Sequence, residues 1–557
     1  MTTSNPYDVT PYPGNAYAST HPSRLAAIAA LFGQPCAAPA SGRTLEIGCA
    51  SGENLLPMAA AFPQARFIGL DLSQVQIVAA RAAQQELGLA NIEFICGDIL
   101  TASASELGKF DYVIAHGIYS WLPPAVQTAM LALCRDCLAE GGVAYVSYNT
   151  LPGWHMRGII RDMMLFHAEL YPNPQAQVQQ AKLLLDFMVA HVPAESNPYG
   201  QYLRSELQMV SQVSANYLAH DHLEVHNEAL YFRDFMVRAR AAGLDYLGES
   251  EFASMAGAGI APAALAQLRA EITDIVRQEQ YFDFMRNRTF RMTLLMHGGT
   301  AINRNLAATS LAGLYVTSAL APAGAVDLAD NSSARFLVGS SGSGLETGNP
   351  VTKAALQLLH ECAPAAMVFE DLVDAARARL PATPLAKLSL EQHRELLAND
   401  LLVAYSHPGQ VGLDAADFAV ERYTGGEEEQ RLYASPYARW QAARTNAVTN
   451  AFHLPILLSD AGRLVLPLLD GTRDRAALQS AFHQLVADGK FVILQEGKPV
   501  PPAATAPLER SALDAVLSYL SQWAMLCRAP QPSGAVPVPV VTPSAAKQSR
   551  HVSPAAK

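Results

Sequence analysis

Basic charge and cysteine are both scarce in this sequence. Only 16% of the 557 residues are charged, and 39 Lys and Arg face 50 Asp and Glu, giving a net charge of -11. The chain therefore lacks the basic face of a general nucleic-acid binder. An acidic surface suits a basic substrate segment, or simply keeps a protein soluble. Seven scattered cysteines, an odd number, imply no disulfide framework. Cys134 and Cys137 form a CxxC inside the helix-like LALCRDCLAE, but no second pair follows. Two helical thiols are expected there rather than zinc, and no metal site is assigned. No stretch approaches eighteen uninterrupted apolar residues, so no membrane insertion is expected. The opening MTTSNPYDVTPY lacks the basic and then apolar pattern of a signal peptide, so a reducing cytoplasm is the expected location.

What is present is apolar and patterned. Half the residues are hydrophobic, enough for several cores, and the length suggests roughly three or four domains. Residues 1–40 hold a turn-rich opening and a helical pattern, RLAAIAALFG. From 41 to 155 the runs TLEIG, ARFIGLD, IEFICGD, DYVIAHG and VAYVSYN alternate with helical segments. That alternation predicts an α/β, doubly wound parallel sheet of Rossmann type. Residues 156–300 read as an α-helical domain. Residues 301–530 read as small α+β units with a faint helix–turn–helix repeat, winged-helix-like. The Pro-, Ala- and Ser-rich tail 531–557 is expected to be disordered.

The first strand runs into LEIGCASGEN (Leu45–Asn54), a small-residue turn into the next helix. Its glycines, Gly48 and Gly52, are spaced G-x-x-x-G, without the third glycine of a dinucleotide fingerprint, and no GK[ST] follows. Phosphate is poorly suited, because Glu46 sits in the strand end and would repel it. Glu46 suits an ammonium instead. Asp71 ends the second strand, where a carboxylate can hold ribose hydroxyls. Asp98 ends the third, where it could meet the amine of an adenine. Three carboxylates on successive strand ends describe S-adenosylmethionine better than NAD.

These motifs (EIGCASG, GLDLS, CGDI and HGIYSWLP) resemble those of class I S-adenosylmethionine-dependent methyltransferases. Further stretches, including VSYNTLPGWHMRGIIRDMMLFHA, YLAHDHLEVHNEALYFRDFMVRARAAGLDYLGESEF and QEQYFDFMRNRTFRMTLL, resemble bacterial methyltransferases with a methyltransferase regulatory domain. The rickettsial protein lysine methyltransferases that modify outer-membrane proteins belong to that group. The resemblance is dense over residues 5–300 and looser beyond, where HLPILLSDAGRLVLPLLDGTRDRAAL is its most recognisable part. It implies cofactor binding by Glu46, Gly48, Gly52, Asp71, Leu72, Asp98 and Ile99. It places His116 and Gly117 at the reactive end, and makes the substrate a protein with lysine as the favoured acceptor. A small-molecule methyltransferase and a non-catalytic cofactor-binding regulator remain open. The loop departs from the family pattern at Ala50, where a central glycine is usual. Alanine is tolerable there if its φ stays negative and otherwise crowds the cofactor.

Methyl transfer to an amine needs alignment, desolvation and removal of one proton. His116, Tyr119, Trp121 and Asn149 are the expected catalytic residues, with Trp154 beside them. Tyr119 and Trp121 would line an aromatic channel, although Trp121 equally suits packing at a helix start. Tyr7, Tyr12 and Tyr17 either close a lid or pack on the surface. His222 and His226 have helical i, i+4 spacing within HDHLEVH, near His220, but without the HExxH glutamate a structural role is expected. Arg286, Arg288 and Arg291 either bind an acidic substrate surface or pair with acids of the first domain.

Overall fold

The computed structural model describes residues 14–212, 215–224, 226–339, 344–384, 387–406, 416–421, 423, 430–495, 498–501 and 505–528. Tyr7, Tyr12 and the tail 531–557 lie outside these residues. The five apolar runs form β1 (Arg43–Ile47), β2 (Arg66–Asp71), β3 (Ile92–Cys96), β4 (Phe110–Ala115) and β5 (Leu138–Asn149). They pair in parallel. Helices cover both faces, which is why these strands read as continuous apolar runs rather than alternating ones. One face packs against α1 (Pro22–Leu31), α2 (Leu55–Ala61) and α3 (Gln74–Leu87). The other packs against α4 (Pro124–Cys137), which buries Cys134 and Cys137. Burial pushes their thiols up to about 12 and about 11, so both stay protonated.

The sheet does not end at residue 155. The helices α5 (Gly153–Ala168), α6 (Pro174–His191), α7 (Pro198–Gln212) and α8 (Ala215–His222) share a small core of their own. After them α9 (Phe232–Ala241) returns to the sheet, and β6 (Leu244–Glu249) and β7 (Phe290–His297) complete it. The order is β3-β2-β1-β4-β5-β7-β6, with β7 antiparallel to both neighbours. The expected helical unit 156–300 is therefore a helical insertion followed by two strands of the first sheet. In β7 (FRMTLLMH) alternation spans only Phe290–Leu294, and its polar members Arg291 and Thr293 are themselves buried. So short a signal, directly after a helical run, does not separate the strand from the preceding helix.

The arginines are corrected by the same break. Arg286 ends α10 (Ile275–Arg286), and Asn287 takes a left-handed φ of 49° that stops it. Arg291 lies in β7 and is fully buried. Its guanidinium meets Glu249 (2.6 Å), Glu279 (3.0 Å) and Asp283 (2.9 Å) and stacks over Phe232 at 3.8 Å. Arg288 adds a second bond to Glu249 at 3.1 Å. Arg288 and Arg291 thus pair with acids of their own segment and of β6, not with acids of the 41–155 stretch. The histidine spacing is corrected too. Helix α8 ends at His222, so the exposed His226 does not share a helix face with it.

Two α+β units follow. The first combines helices Pro350–Cys362, Phe369–Ala378 and Leu390–Tyr405 with short strands, and its core is continuous with the α1–α3 side of the sheet. The second has its own core, built on helices Pro436–Ala442, Asp460–Val465, Arg475–Ala487 and Ala506–Gln522 and two hairpins. Trp440 Nε1 of this unit donates to Glu86 of α3 at 2.7 Å, and Arg444 pairs with the same carboxylate.

Candidate cofactor and acceptor site

The strand order sets the carboxyl ends of β3, β2, β1 and β4 side by side, carrying Asp98, Asp71, Glu46 and His116. Between β1 and β4 the chain order reverses, the place where open α/β sheets leave a crevice for ligand. Gly48 (φ 76°) and Gly52 (φ 83°) both use backbone angles that favour glycine. A Cβ on Gly48 would lie 2.6 Å from Ile118, and one on Gly52 would lie 2.5 Å from Phe94. The loop can therefore tuck against β3 and the segment after β4 only because both residues lack side chains.

Ala50 also has positive φ, 47°. The condition under which alanine is tolerable is not met, and its Cβ sits in a strained backbone region. One bond holds it there: Ala50 N–H donates to Asp71 Oδ2 at 2.9 Å, while Ser73 N–H donates to Oδ1 at 2.8 Å. Asp71 therefore fastens the loop as well as ending β2. Ala50→Gly is expected to raise stability by about 1 kcal/mol in urea unfolding, and Ala50→Val to lower it. Equal stability of the three proteins would show that the loop carries no strain.

Glu46 is buried, with 4% of its surface exposed. Its Oε1 accepts from Asn54 Nδ2 at 2.8 Å, whereas Oε2 is buried without a partner among the described residues. Burial pushes its carboxyl up to about 8, with Glu53 and Asp71 adding repulsion. An orphaned acceptor of this kind fits an incoming ammonium and does not fit a phosphate. Asp98 is half-buried and accepts from Leu100 N–H at 2.9 Å, and Ile99 is half-buried beside it. Leu72 is 59% exposed next to Asp71.

At the β4 and β5 ends, Gly117 N–H donates to Ser147 Oγ at 2.7 Å. His116 Nδ1 lies 2.9 Å from the Tyr145 hydroxyl, and its ring sits 3.9 Å from that of Tyr17. Burial lowers the imidazole to about 4, so it is neutral at pH 7. Trp121 and Trp154 meet edge to face at 6.3 Å. Asn149 Nδ2 donates to Asn227 Oδ1 at 2.9 Å. Tyr119 does not join them. Its ring is fully buried against Phe235 and Tyr148, away from the partly exposed Trp121 that follows it in the short helix Tyr119–Trp121, so it does not line the acceptor side. Sequence reasoning missed Asn54, Tyr145, Ser147 and Asn227. Asn54 directly abuts the glycine loop, which is the one signal that could have found it.

This sheet order, with a carboxylate-lined cleft and an unfilled acceptor at β1, defines an S-adenosylmethionine-dependent methyltransferase of class I. The description "Methyltransferase domain" matches residues 44–142, "Predicted methyltransferase regulatory domain" residues 214–297, and "PKMT, C-terminal winged helix domain" residues 433–525. The chain is 35% identical to the uncharacterized protein RP789 of Rickettsia prowazekii, covering 89% of each. It is also 36% identical to RP028 of the same organism over 42% of this chain and 93% of that one. Among solved structures it is similar to PKMT2 from Rickettsia typhi, at 28% identity and a TM-score of 0.81, over 93% of this chain and 100% of that one. The same protein in complex with AdoHcy gives a TM-score of 0.79. The chain belongs to this family of S-adenosylmethionine-dependent methyltransferases, with a regulatory domain and a PKMT-type C-terminal winged helix.

Proposed function

We propose that this methyltransferase acts in the cytoplasm on lysine side chains of a protein substrate. The observation that carries the reading is the aromatic, uncharged wall at the ends of β4 and β5, where Tyr17, the neutral His116, Tyr145 and Phe290 adjoin. The resemblance to rickettsial protein lysine methyltransferases supports lysine as the acceptor. Bound S-adenosylmethionine supplies an electrophilic methyl group on a sulfonium sulfur. Glu46 Oε2 receives the ammonium, and Asp71 receives ribose hydroxyls while holding Ala50. Gly48, Gly52, Leu72, Asp98 and Ile99 complete the cofactor side.

A lysine is nucleophilic only as the neutral amine. The low-polarity wall disfavours its ammonium form, so the proton passes to bulk water as the side chain enters. Trp121 and Trp154 flank the apolar stem, and the Asn149 carboxamide, oriented by Asn227, offers hydrogen bonds to the amine. Trp154 also begins α5, so the helical insertion starts at the mouth, where a protein-sized substrate would rest. Incubation with methyl-labelled cofactor and a bacterial lysate, followed by peptide mass spectrometry, tests the reading. Label on lysine residues supports it, and label confined to metabolites overturns it.

The carboxyl of Glu46 gives a second expectation. With burial raising it to about 8, this carboxyl is expected to hold a proton in the free enzyme at pH 7 and to lose it when an ammonium binds. Cofactor binding should release about one proton, read by calorimetry in buffers of different ionisation enthalpy. Affinity should rise from pH 6 to pH 7.5. Binding without proton release would separate Glu46 from the ammonium.

A further inference from the structure

The hairpin Ala447–Thr449 and Pro455–Leu457 belongs to the second C-terminal unit, yet its tip reaches the start of α2. The tip is fixed from within its own unit. Asn450 Oδ1 accepts from Phe452 N–H (3.0 Å) and Leu454 N–H (2.9 Å), and its Nδ2 donates to Trp523 O at 3.0 Å. His453 stands at this tip with a left-handed φ of 61° and is buried. A non-glycine residue in that region costs of order 1 kcal/mol and persists only where its surroundings enforce it. Here the side chain is delivered into another domain. His453 Nε2 lies 2.8 Å from Asn54 Oδ1.

The hydrogen bonds around Asn54 settle which way they run. Tyr17 N–H donates to Asn54 Oδ1 at 3.0 Å, and a backbone N–H can only donate. The amide nitrogen therefore faces Glu46 Oε1, and His453 must carry its proton on Nε2 and donate it. An asparagine at a helix start ordinarily caps that helix, but Asn54 makes no such bond. Its carboxamide is spent on holding together Tyr17, Thr20, Glu46 and His453.

We propose that His453 is a positioning residue of the cofactor site: by donating to Asn54 it holds the carboxamide that orients Glu46 toward the cofactor's ammonium. The inference rests on the reading of Glu46 given above. It makes the second C-terminal unit part of the cofactor site without touching the ligand. Docking of that unit and cofactor binding are then coupled, and by linkage each strengthens the other. The contacts of Trp440 and Arg444 with Glu86 keep the hairpin within reach.

The test uses the full chain titrated with AdoHcy by calorimetry, for the native protein and for Glu46→Gln, His453→Ala and His453→Gln. Glutamine can place an amide N–H where Nε2 stood. His453→Ala should weaken AdoHcy by about tenfold, the effect of one hydrogen bond to a network ending on a charge. His453→Gln should recover most of that loss. AdoHcy should also slow amide hydrogen exchange over residues 447–457 in the native protein and not in His453→Ala. If Glu46→Gln weakens binding while His453→Ala does not, or if glutamine loses as much as alanine, the positioning role is wrong. If Glu46→Gln itself leaves affinity unchanged, the reading of Glu46 fails and the inference falls with it.

Discussion

Asp71→Ala should lower cofactor affinity by about a hundredfold, roughly 3 kcal/mol, while the far-ultraviolet circular dichroism stays unchanged. Two losses combine in this variant. The carboxylate at the end of β2 is the acceptor proposed for the ribose hydroxyls, and hydrogen bonds to a charged acceptor are the strong ones. The same carboxylate also fastens Ala50 N–H, and through it a residue held at φ 47°. Released, the loop relaxes toward negative φ and the glycine turn shifts. Asp71→Asn keeps one carbonyl acceptor and should fall between native and alanine. Combining Asp71→Ala with Ala50→Gly should recover none of the affinity, because the glycine removes strain without replacing the acceptor. Calorimetry showing native affinity for Asp71→Ala would dismiss the cofactor assignment of this strand end.

Arg291→Met should destabilise the sheet domain by about 3–5 kcal/mol, the cost of removing one partner from a buried ion cluster. Glu249 and Asp283 would then keep only Arg288, and Glu279 would lose its ion-pair partner among the described residues. Arg291→Lys should be nearly as damaging, since one ammonium cannot bridge three carboxylates that the guanidinium meets at 2.6–3.0 Å. The loss should also depend on pH. Burial pushes the Glu279 carboxyl up to about 7, while Arg291 pulls it down. A carboxyl raised above its unfolded value contributes stability at low pH and loses it as pH rises through the folded value. Without Arg291 the carboxyl climbs further, so urea denaturation should show a larger deficit at pH 8 than at pH 6. A deficit under 1 kcal/mol, or one independent of pH, would mean that the cluster relaxes to admit water.

The placement of the residues proposed for the cofactor side was legible in the sequence. Each of these residues lies at the end of an apolar run, and in a parallel sheet those ends must converge on one edge. Gly48, Gly52, Glu46, Asp71 and Asp98 are therefore placed by strand periodicity and by the small-residue turn, without knowledge of the rest of the chain. Ala50 could be singled out but not resolved, because its φ depends on the bond from Asp71, which exists only once β1 and β2 are paired.

Tertiary structure alone decided the remainder. Which side of its short helix Tyr119 faces follows from Phe235 and Tyr148 packing on it. The strand identity of β7 was hidden because its alternation is brief and follows a helical run directly. The role of Arg291 emerges only when three acids, Glu249 of β6 and Glu279 and Asp283 of α10, close around it. The longest-range fact, His453 donating to Asn54, joins residues at opposite ends of the chain. No local pattern encodes it, because docking of the second C-terminal unit onto α2 and α3 brings them together.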